Sequence, residues 1–401
     1  MLIELGKSPR EMESFDWESN SNFYAINPRF PTDSARELLY ALYENEAQFQ
    51  SHVFLLTSGT TSQTTNGLRW VVLSKRAFLS AAQAVNLHLA SDSSDTWLHP
   101  LPDFHVGGIA IWARARLSGA KVVKISYTSP ENLVAEIEKS QATLIPLVPA
   151  QIFDLVQSKL LPPPSLRTVI VGAGAMSFTL YKQALDIGWP LLPAYGMTEA
   201  CSQIATVSPQ TLERGSVLSF DHLPPYQLLS HLEARIGEGE CLELKGPALL
   251  TAYIGLRNGE AKVQDPFRDG WFVTGDRAQL ERGHLRLLGR QTDFVKIGGE
   301  SVEVQRLRDI FEGVRVETQS TADAAILAVP DVRLGHVIHL YSDRNLLDSK
   351  ANELIERFNS RVLAFEKIRQ WKRLDFLPRT DLGKLIPSKC LDSQVDPVPL
   401  R

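Results

Sequence analysis

The chain has few of the features that are typical of secreted proteins, of proteins with structural metal sites or of membrane-spanning proteins. It contains three cysteines, Cys201, Cys241 and Cys390, and their wide spacing fits neither a disulfide framework nor a zinc site. No uninterrupted apolar run reaches the roughly 18 residues that a membrane-spanning helix needs. The N-terminal residues lack the apolar core of a signal peptide. These absences predict a protein without a membrane span and with a cytoplasmic location.

An excess of charge of one sign is absent as well. The 42 Lys and Arg residues nearly balance the 46 Asp and Glu residues, which gives a net charge of −4. This balance argues against a nucleic-acid-binding protein or a protein that binds anionic membranes, so an anionic ligand would need a local site. The length of 401 residues, with 44% hydrophobic and 22% charged residues, suits a globular enzyme of two domains.

The sequence also lacks the Gly-x4-Gly-Lys-Ser/Thr motif of P-loop nucleotide-binding proteins. Instead, short apolar runs alternate with helical patterns from His52 to Tyr195. Such alternation predicts crossover connections and a largely parallel sheet. Pro146 and Pro193 weaken two of the strands, because proline cannot donate a ladder hydrogen bond. The predicted strands are 53–56, 70–73, 121–125, 144–148, 168–171 and 191–195, and helices are predicted at 35–43, from Ser74, at 130–139, and from near Pro149 and Ser177.

The pattern changes to strand-rich after about Gly215, and the junction of Gly289 and Arg290 is the predicted domain boundary. We therefore predict a large α/β domain at 1–289 and a small α+β domain at 290–401. The small domain should contain helices at 304–312 and 349–365 and strands at 325–329, 336–341 and near Leu374.

Several short segments stand in a distinctive order. Residues 57–61 read Thr-Ser-Gly-Thr-Thr, residues 195–199 read Tyr-Gly-Met-Thr-Glu, and residues 274–276 read Thr-Gly-Asp. Residues 289–300 follow with Gly-Arg-Gln-Thr-Asp-Phe-Val-Lys-Ile-Gly-Gly-Glu, and residues 378–384 with Pro-Arg-Thr-Asp-Leu-Gly-Lys. Together they resemble the acyl-adenylate-forming superfamily of acyl-CoA synthetases, adenylation domains and luciferases, from about residue 54 to 389. Residues 101–120, with Leu-Pro-Asp-Phe-His-Val-Gly-Gly at the start, are most similar to o-succinylbenzoate–CoA ligases.

The resemblance implies ATP-dependent activation of a small carboxylic acid to an acyl-AMP, followed by transfer to coenzyme A in menaquinone biosynthesis. Both steps move negative charge, so they need phosphate donors, a cation and a grip on the ribose. Hydroxyls that follow a strand can cradle phosphates, and small residues let a flat ring approach the backbone. The implied nucleotide-binding residues are Thr57, Ser58, Gly59, Thr60, Thr61, Gly172, Ala173, Tyr195, Gly196, Thr198, Asp276 and Arg290.

The same resemblance assigns individual roles. Tyr195 would stack on adenine, Thr198 would bind the α-phosphate, Glu199 would bind Mg²⁺, and Asp276 would accept both ribose hydroxyls. The remaining roles concern the acyl group and the small domain. They fall to His105 beside the acyl pocket, Lys384 as the cation of the adenylation step, Gln291, Thr292 and Asp293 as a hinge, and Lys296, Gly298 and Gly299 on the face that meets coenzyme A.

The sequence departs from the family pattern in two places. The phosphate loop is a few residues longer, and Arg69 stands where the family usually has lysine, which keeps the charge but changes the geometry. The segment before the loop is shorter than in relatives, which predicts an N-terminally shortened fold and allows a homodimer. Arg114, Arg116 and the Ser/Thr-rich loop are candidates for binding a second carboxylate of the acid.

Three alternatives remain open at the level of sequence. The chain could be another aryl- or acyl-CoA ligase, or an adenylation enzyme that loads a carrier protein on the same fold. It could also be a non-catalytic nucleotide-binding relative, which the altered phosphate loop favours and the presence of Glu199, Asp276, Arg290 and Lys384 opposes. No pattern in the sequence indicates a nucleic-acid partner.

Overall fold

The structure is a computed structural model of the chain. It describes residues 12, 15–26, 48–58, 68–174, 176–213, 222–257, 260–290, 294–297, 300–380, 383, 385–393 and 397–398. The predicted helix at 35–43 lies outside these residues. Within the described ranges, no helix has the length and apolar character needed to cross a membrane.

The described strands form three sheets. A small sheet has the order β1-β2-β3-β13-β14, a large sheet has the order β11-β12-β16-β17-β10-β9-β8-β7-β6-β4-β5 with β15 beside β16, and a C-terminal sheet has the order β19-β18-β21-β22-β23 with β20 beside β21. The strands are β1 (Phe23–Ala25), β2 (His52–Ser58), β3 (Leu68–Ser74), β4 (Thr96–His99), β5 (Lys121–Lys124), β6 (Leu144–Leu147), β7 (Thr168–Val171), β8 (Leu191–Met197), β9 (Ser202–Thr206), β10 (Tyr226–Leu228), β11 (Glu233–Ile236), β12 (Cys241–Lys245), β13 (Ala252–Arg257), β14 (Glu260–Gln264), β15 (Phe267–Arg268), β16 (Trp271–Glu281), β17 (His284–Arg290), β18 (Phe294–Ile297), β19 (Glu300–Glu303), β20 (Ala324–Asp331), β21 (Gly335–Ser342), β22 (Ile368–Arg373) and β23 (Pro397–Val398).

Helices connect the parallel strands, as the alternating pattern predicted. Ser74 and Ser177 begin two of them by accepting hydrogen bonds from the amides three residues on, at Ala77 and Leu180. Such caps satisfy amide groups that the first helical turn leaves without partners. The described helices are α1 (Lys75–Leu89), α2 (Val106–Ser118), α3 (Pro130–Ser140), α4 (Pro149–Gln157), α5 (Phe178–Asp186), α6 (Gln210–Glu213), α7 (Val304–Glu317), α8 (Asp348–Asn359) and α9 (Pro387–Leu391).

The parallel half of the large sheet runs β5-β4-β6-β7-β8, and from β9 onward its strands pair antiparallel. One face of this half packs on helices α3, α4 and α5 in a core that contains Ile152, Tyr181 and Trp189. The carboxyl ends of β7 and β8 therefore lie side by side, which is where open α/β sheets place their ligand sites. Of the strand-rich segment after residue 215, strands β10–β12 and β15–β17 extend the same sheet, whereas β13 and β14 join the small sheet.

Pro146 and Pro193 lie inside strands β6 and β8. The surroundings of Pro146 show why a strand tolerates a proline there. The Leu147 carbonyl accepts from the Gly172 amide on the β7 side, so the nitrogen of Pro146 faces β4. There, the pairing of β4 with β6 is limited to Trp97 and Leu144. Because Pro146 faces a side that needs no donor, the weakness expected of this strand does not arise.

The C-terminal sheet carries α7 and α8 around its own core, which includes Phe311, Phe358 and Trp371. Helix α8 ends at Asn359, so the prediction that this helix continues to residue 365 is wrong. The side-chain Oδ1 of Asn359 accepts from the Ile368 amide, and the Glu366 carboxylate accepts from the Leu363 amide, which turns the chain back into β22. The division into two domains near residue 289 stays a prediction.

Candidate active site

The segment 195–199 lies at the carboxyl end of β8, where the chain bends sharply. Thr198–Ala200 form a 3-10 turn, and Cys201 and Ser202 then take positive φ values of 50° and 100°. This bend presses the Ser202 carbonyl against Gly196, where a β-carbon would lie only 1.8 Å from the carbonyl oxygen. Glycine is therefore required at 196 by this close approach, independently of any ligand.

Tyr195, Asp276 and Arg290 meet in one cluster. The Tyr195 hydroxyl donates to Asp276 Oδ2 at 2.6 Å, and Arg290 Nε donates to Asp276 Oδ1 at 3.0 Å. The Thr274 hydroxyl accepts from the Asp276 amide at 3.0 Å and so fixes the backbone from which the carboxylate extends. Burial, and next the negative charge of Asp276, raise the pKa of Tyr195 well above its ordinary value. The phenol therefore stays protonated and keeps donating to the carboxylate.

A second cluster surrounds Glu199. Arg69 Nη2 lies 3.1 Å from Glu199 Oε1, and the Tyr253 hydroxyl donates to the same oxygen at 2.9 Å. The Arg69 guanidinium also lies 3.8 Å above the centre of the Tyr253 ring. Tyr253 did not emerge from the sequence, because only the pairing of β13 with β3 makes it a neighbour of Arg69.

Three predicted nucleotide-binding residues that precede Tyr195 in the sequence, Thr57, Gly172 and Ala173, lie beside these clusters. Thr57 is the cross-strand partner of Arg69, and its hydroxyl donates to the Arg69 carbonyl at 3.4 Å. Gly172 and Ala173 form the turn after β7, next to β8, with Ala173 exposed and at a positive φ of 63°. The turn thus presents backbone to solvent beside Tyr195, as a wall for a flat ring requires.

His105 begins helix α2, and the loop before it is fixed by a buried charge network. Asp103 Oδ1 accepts from His99 Nε2 at 2.8 Å, from Trp112 Nε1 at 2.9 Å and from Lys124 Nζ at 3.0 Å. Burial lowers the pKa of His99, which stays neutral at neutral pH. The network did not emerge from the sequence, because Lys124 and Trp112 reach Asp103 only through the packing of β5 and α2.

Arg114 occupies the interior of the same helix. Its side chain is buried, Nη2 lies 3.4 Å from the Ser202 hydroxyl, and the guanidinium carbon lies 5.6 Å from the centre of the Trp97 ring. Among the residues that the structure describes, no carboxylate pairs with it, and Nε has no hydrogen-bond partner. Burial lowers the pKa of Arg114 to about 9. A buried cation of this kind calls for an anion from outside the described protein groups. Arg116, by contrast, is exposed.

Several predicted residues lie outside the described part of the chain: Gly59, Thr60, Thr61, Gln291, Thr292, Asp293, Gly298, Gly299 and Lys384, together with the side chains of Ser58 and Lys296. Gly383 is described, and a β-carbon there would lie 3.6 Å from the Ala150 β-carbon at the start of α4. Arg379 donates to the Gly383 carbonyl at 2.8 Å and pairs with Asp323. Gly383 therefore lies against the start of α4.

Comparison with known proteins explains why these clusters coincide. The family model of AMP-binding enzymes matches residues 24–225, which is half of the chain. The chain belongs to the AMP-binding enzyme family. Its architecture is accordingly the acyl-adenylate-forming fold.

Individual AMP-binding enzymes are similar over most of the chain. A 2-succinylbenzoate–CoA ligase of Staphylococcus epidermidis is 29% identical over 336 residues, which are 81% of this chain and 67% of the relative. The corresponding ligase of Bacillus subtilis is 27% identical over 345 residues, covering 85% of this chain and 68% of the relative. The solved structure of o-succinylbenzoate CoA synthetase (MenE) from Bacillus subtilis with the acyl-adenylate OSB-AMP matches 86% of this chain and 69% of its own, with a TM-score of 0.70 at 26% identity.

The donor set fits a magnesium ion that arrives with ATP. Glu199 offers a hard carboxylate oxygen that is only partly buried, at 15% side-chain exposure. The described residues contain no group of three or more His, Cys, Asp or Glu side chains that could hold an ion by themselves. Mg²⁺ commonly takes one or two carboxylates and completes its shell with phosphate oxygens and water. Glu199 would thus hold a cation that balances phosphate charge.

Proposed function

We propose that this chain is an ATP-dependent acyl-CoA ligase that converts o-succinylbenzoate to its CoA thioester through an acyl-AMP intermediate, in menaquinone biosynthesis. The observation that carries the proposal is the pair of clusters at the carboxyl end of β8. Asp276 would bind a ribose, and Glu199 would bind a metal–phosphate group. Tyr195, which contacts Asp276, is joined to Glu199 by the end of β8 and one turn. This arrangement occurs in an AMP-binding fold whose relatives are named 2-succinylbenzoate–CoA ligases.

Separate groups would bind the ribose, the adenine and the phosphates of the nucleotide. Asp276 is already oriented by Tyr195 and Arg290, so its remaining lone pairs can accept the two ribose hydroxyls without reorganisation. The Tyr195 ring would stack on adenine beside the turn of Gly172 and Ala173. Thr198 would donate to the α-phosphate, and the hydroxyls and amides of residues 57–61 would cradle the outer phosphates.

The acid has two carboxylates, and one of them must survive activation. Arg114 is the described cation that is best suited to the surviving carboxylate, because its charge is buried and lacks an acidic partner. The Ser202 hydroxyl beside it adds a second donor. A bidentate guanidinium–carboxylate contact would offset the cost of burying both charges. Monocarboxylic acids offer no such offset, so Arg114 favours o-succinylbenzoate over benzoate or fatty acids.

Lys384 would serve the first half-reaction. Its ammonium would bridge the attacking carboxylate and the α-phosphate while negative charge builds up there. Rotation about residues 291–293 would then remove Lys384 and bring the face of Lys296, Gly298 and Gly299 to coenzyme A. His105, at the start of α2, would lie beside the acyl group in both half-reactions. The cytoplasmic location and the homodimer stay predictions.

Pyrophosphate release tests the proposal directly. The purified chain should release pyrophosphate from ATP with o-succinylbenzoate far faster than with benzoate or fatty acids, and should form the thioester with free coenzyme A. A preference for another acid would identify a different ligase, and transfer only to phosphopantetheine on a protein would identify a carrier-loading enzyme. Intact AMP binding without turnover of any acid would favour a non-catalytic relative.

A lysine variant separates the two half-reactions. Lys384→Ala should lose acyl-AMP formation by about 100-fold or more, since it removes the cation at the developing charge. Thioester formation from supplied acyl-AMP should stay within a few-fold of the unmodified chain. Lys389→Ala, five residues further along and exposed, is the matched control. Equal losses in both half-reactions would contradict the role given to Lys384.

A further inference from the structure

The carboxylate proposed for metal binding already contacts a cation of the protein. Arg69 Nη2 lies 3.1 Å from Glu199 Oε1, with side-chain exposures of 23% and 15%. Tyr253 stabilises both partners, because its hydroxyl donates to the same oxygen and its ring lies under the guanidinium. A charge-assisted pair that also stacks on an aromatic ring is a favoured position for an arginine.

In the arrangement seen, a divalent ion and this guanidinium would compete for the Glu199 carboxylate. Mg²⁺ binds carboxylate oxygens at about 2.1 Å, so an ion at Oε1 would lie within about 5 Å of a guanidinium nitrogen that is itself 3.1 Å from that oxygen. Two cations at that separation repel strongly in a partly buried site. Arg69 therefore has to move, or its charge has to be balanced by a further anion, when a metal binds.

The pairing of β2 with β3 puts Arg69 beside the start of the predicted phosphate loop. Arg69 is the cross-strand partner of Thr57, which begins the predicted phosphate loop. Its Nε is buried and has no partner among the residues that the structure describes, so this donor is available to a ligand. A guanidinium can grip a phosphate with two parallel hydrogen bonds, and a small swing over the Tyr253 ring would keep the stacking contact.

We propose that Arg69 is a cation switch that makes metal binding depend on ATP. In the nucleotide-free chain Arg69 holds the Glu199 oxygen, so a free divalent ion binds weakly. When ATP enters with its metal, Arg69 moves to a phosphate and releases Glu199 to the ion. The inference rests on the proposed ATP site but not on the identity of the acid.

Divalent-ion binding without nucleotide tests the switch. The free Mn²⁺ signal in electron paramagnetic resonance would be titrated with the full chain and its variants. Arg69→Met should bind Mn²⁺ about fivefold more tightly than the unmodified chain, the amount by which a partly exposed ion pair competes. Glu199→Gln should lose that binding, which would assign it to this carboxylate. In the presence of ATP the order should reverse, because Arg69→Met lacks the phosphate contact.

Arg235→Met is the matched control. Arg235 also pairs with a glutamate, Glu243 at 2.6 Å, and also lies over an aromatic ring, Trp271 at 4.2 Å, but on β11 at the edge of the large sheet. This variant should leave Mn²⁺ binding unchanged. If Arg69→Met binds Mn²⁺ without ATP no more tightly than the unmodified chain, the switch is overturned. A chain that activates no acid yet shows the expected Mn²⁺ behaviour would overturn the ligase proposal and keep the switch.

Discussion

Replacing Arg114 with methionine should stabilise the ligand-free protein while damaging its use of o-succinylbenzoate. Burial lowers the pKa of this guanidinium from 12.5 to about 9, which corresponds to roughly 5 kcal/mol against the charged form. Because both pKa values lie above 7, the penalty is fully present at neutral pH. Lost packing and the lost contact with Ser202 offset part of the gain, so we expect the free energy of unfolding to rise by about 1–3 kcal/mol.

The same substitution should remove the partner of the surviving carboxylate. Truncating one side of a buried, hydrogen-bonded charge pair costs about 3 kcal/mol, or roughly 100-fold in kcat/KM for o-succinylbenzoate. Slow turnover of a monocarboxylic acid such as benzoate should stay the same or rise. Stability would be measured by urea unfolding and turnover by pyrophosphate release with each acid.

Arg116→Met is the control, because Arg116 lies two residues along the same helix and is exposed. It should change the unfolding free energy by less than about 0.5 kcal/mol and leave the choice of acid unchanged. The reasoning fails if Arg114→Met lowers the unfolding free energy by more than about 2 kcal/mol. It fails equally if turnover of both acids falls by the same factor.

Three further outcomes follow from single contacts. Asp276→Asn should weaken AMP binding by roughly 30- to 150-fold in calorimetry, since it removes a charged acceptor; unchanged affinity would place the ribose elsewhere. Gly196→Ala should cost about 3 kcal/mol or more in urea unfolding, because its β-carbon would lie 1.8 Å from the Ser202 carbonyl oxygen; a loss below about 1 kcal/mol would refute the close approach. Burial raises the pKa of Asp95, but hydrogen bonds from Arg167 and Thr143 outweigh it and lower the pKa to about 2. This stability is present above about pH 4 and lost toward pH 2, so Asp95→Asn should cost about 2 kcal/mol at pH 7 and flatten the fall in unfolding free energy between about pH 4 and pH 2.

Local signals predicted the parallel half of the fold well. Strand β7 at Thr168–Val171 is a short apolar run, and a serine cap at 177 begins the next helix, so neighbouring residues carry enough information. The end of α8 at Asn359 was not predictable in the same way. It depends on the hydrogen bond from the Ile368 amide, which forms only once β22 lies parallel to β21.

In the candidate site, too, residues in local motifs could be predicted, whereas contacts that depend on strand pairing could not. Tyr195 and Asp276 belong to short motifs and could be named from the sequence, and the structure brings them together at 2.6 Å. The contact of Tyr253 with Glu199 could not, since it joins a strand of the small sheet to the turn after β8 of the large sheet, across 54 residues of sequence. The pairing of Arg69 with Glu199 likewise depends on where β3 passes the turn after β8. Roles of residues outside the described ranges stay predictions.

Asp276 and Arg290 are joined twice, once as cross-strand partners of β16 and β17 and once through their side chains. Among the described residues that precede the C-terminal sheet, Arg290 is the last, and both its backbone and its side chain hold it to β16. If Asp276 binds the ribose as proposed, a rotation of that sheet that leaves Asp276 in place must occur beyond Arg290. The proposed nucleotide site would therefore stay rigid while the C-terminal sheet moves. A bound nucleotide would further stabilise the connection of Asp276 and Arg290 beyond which that movement occurs.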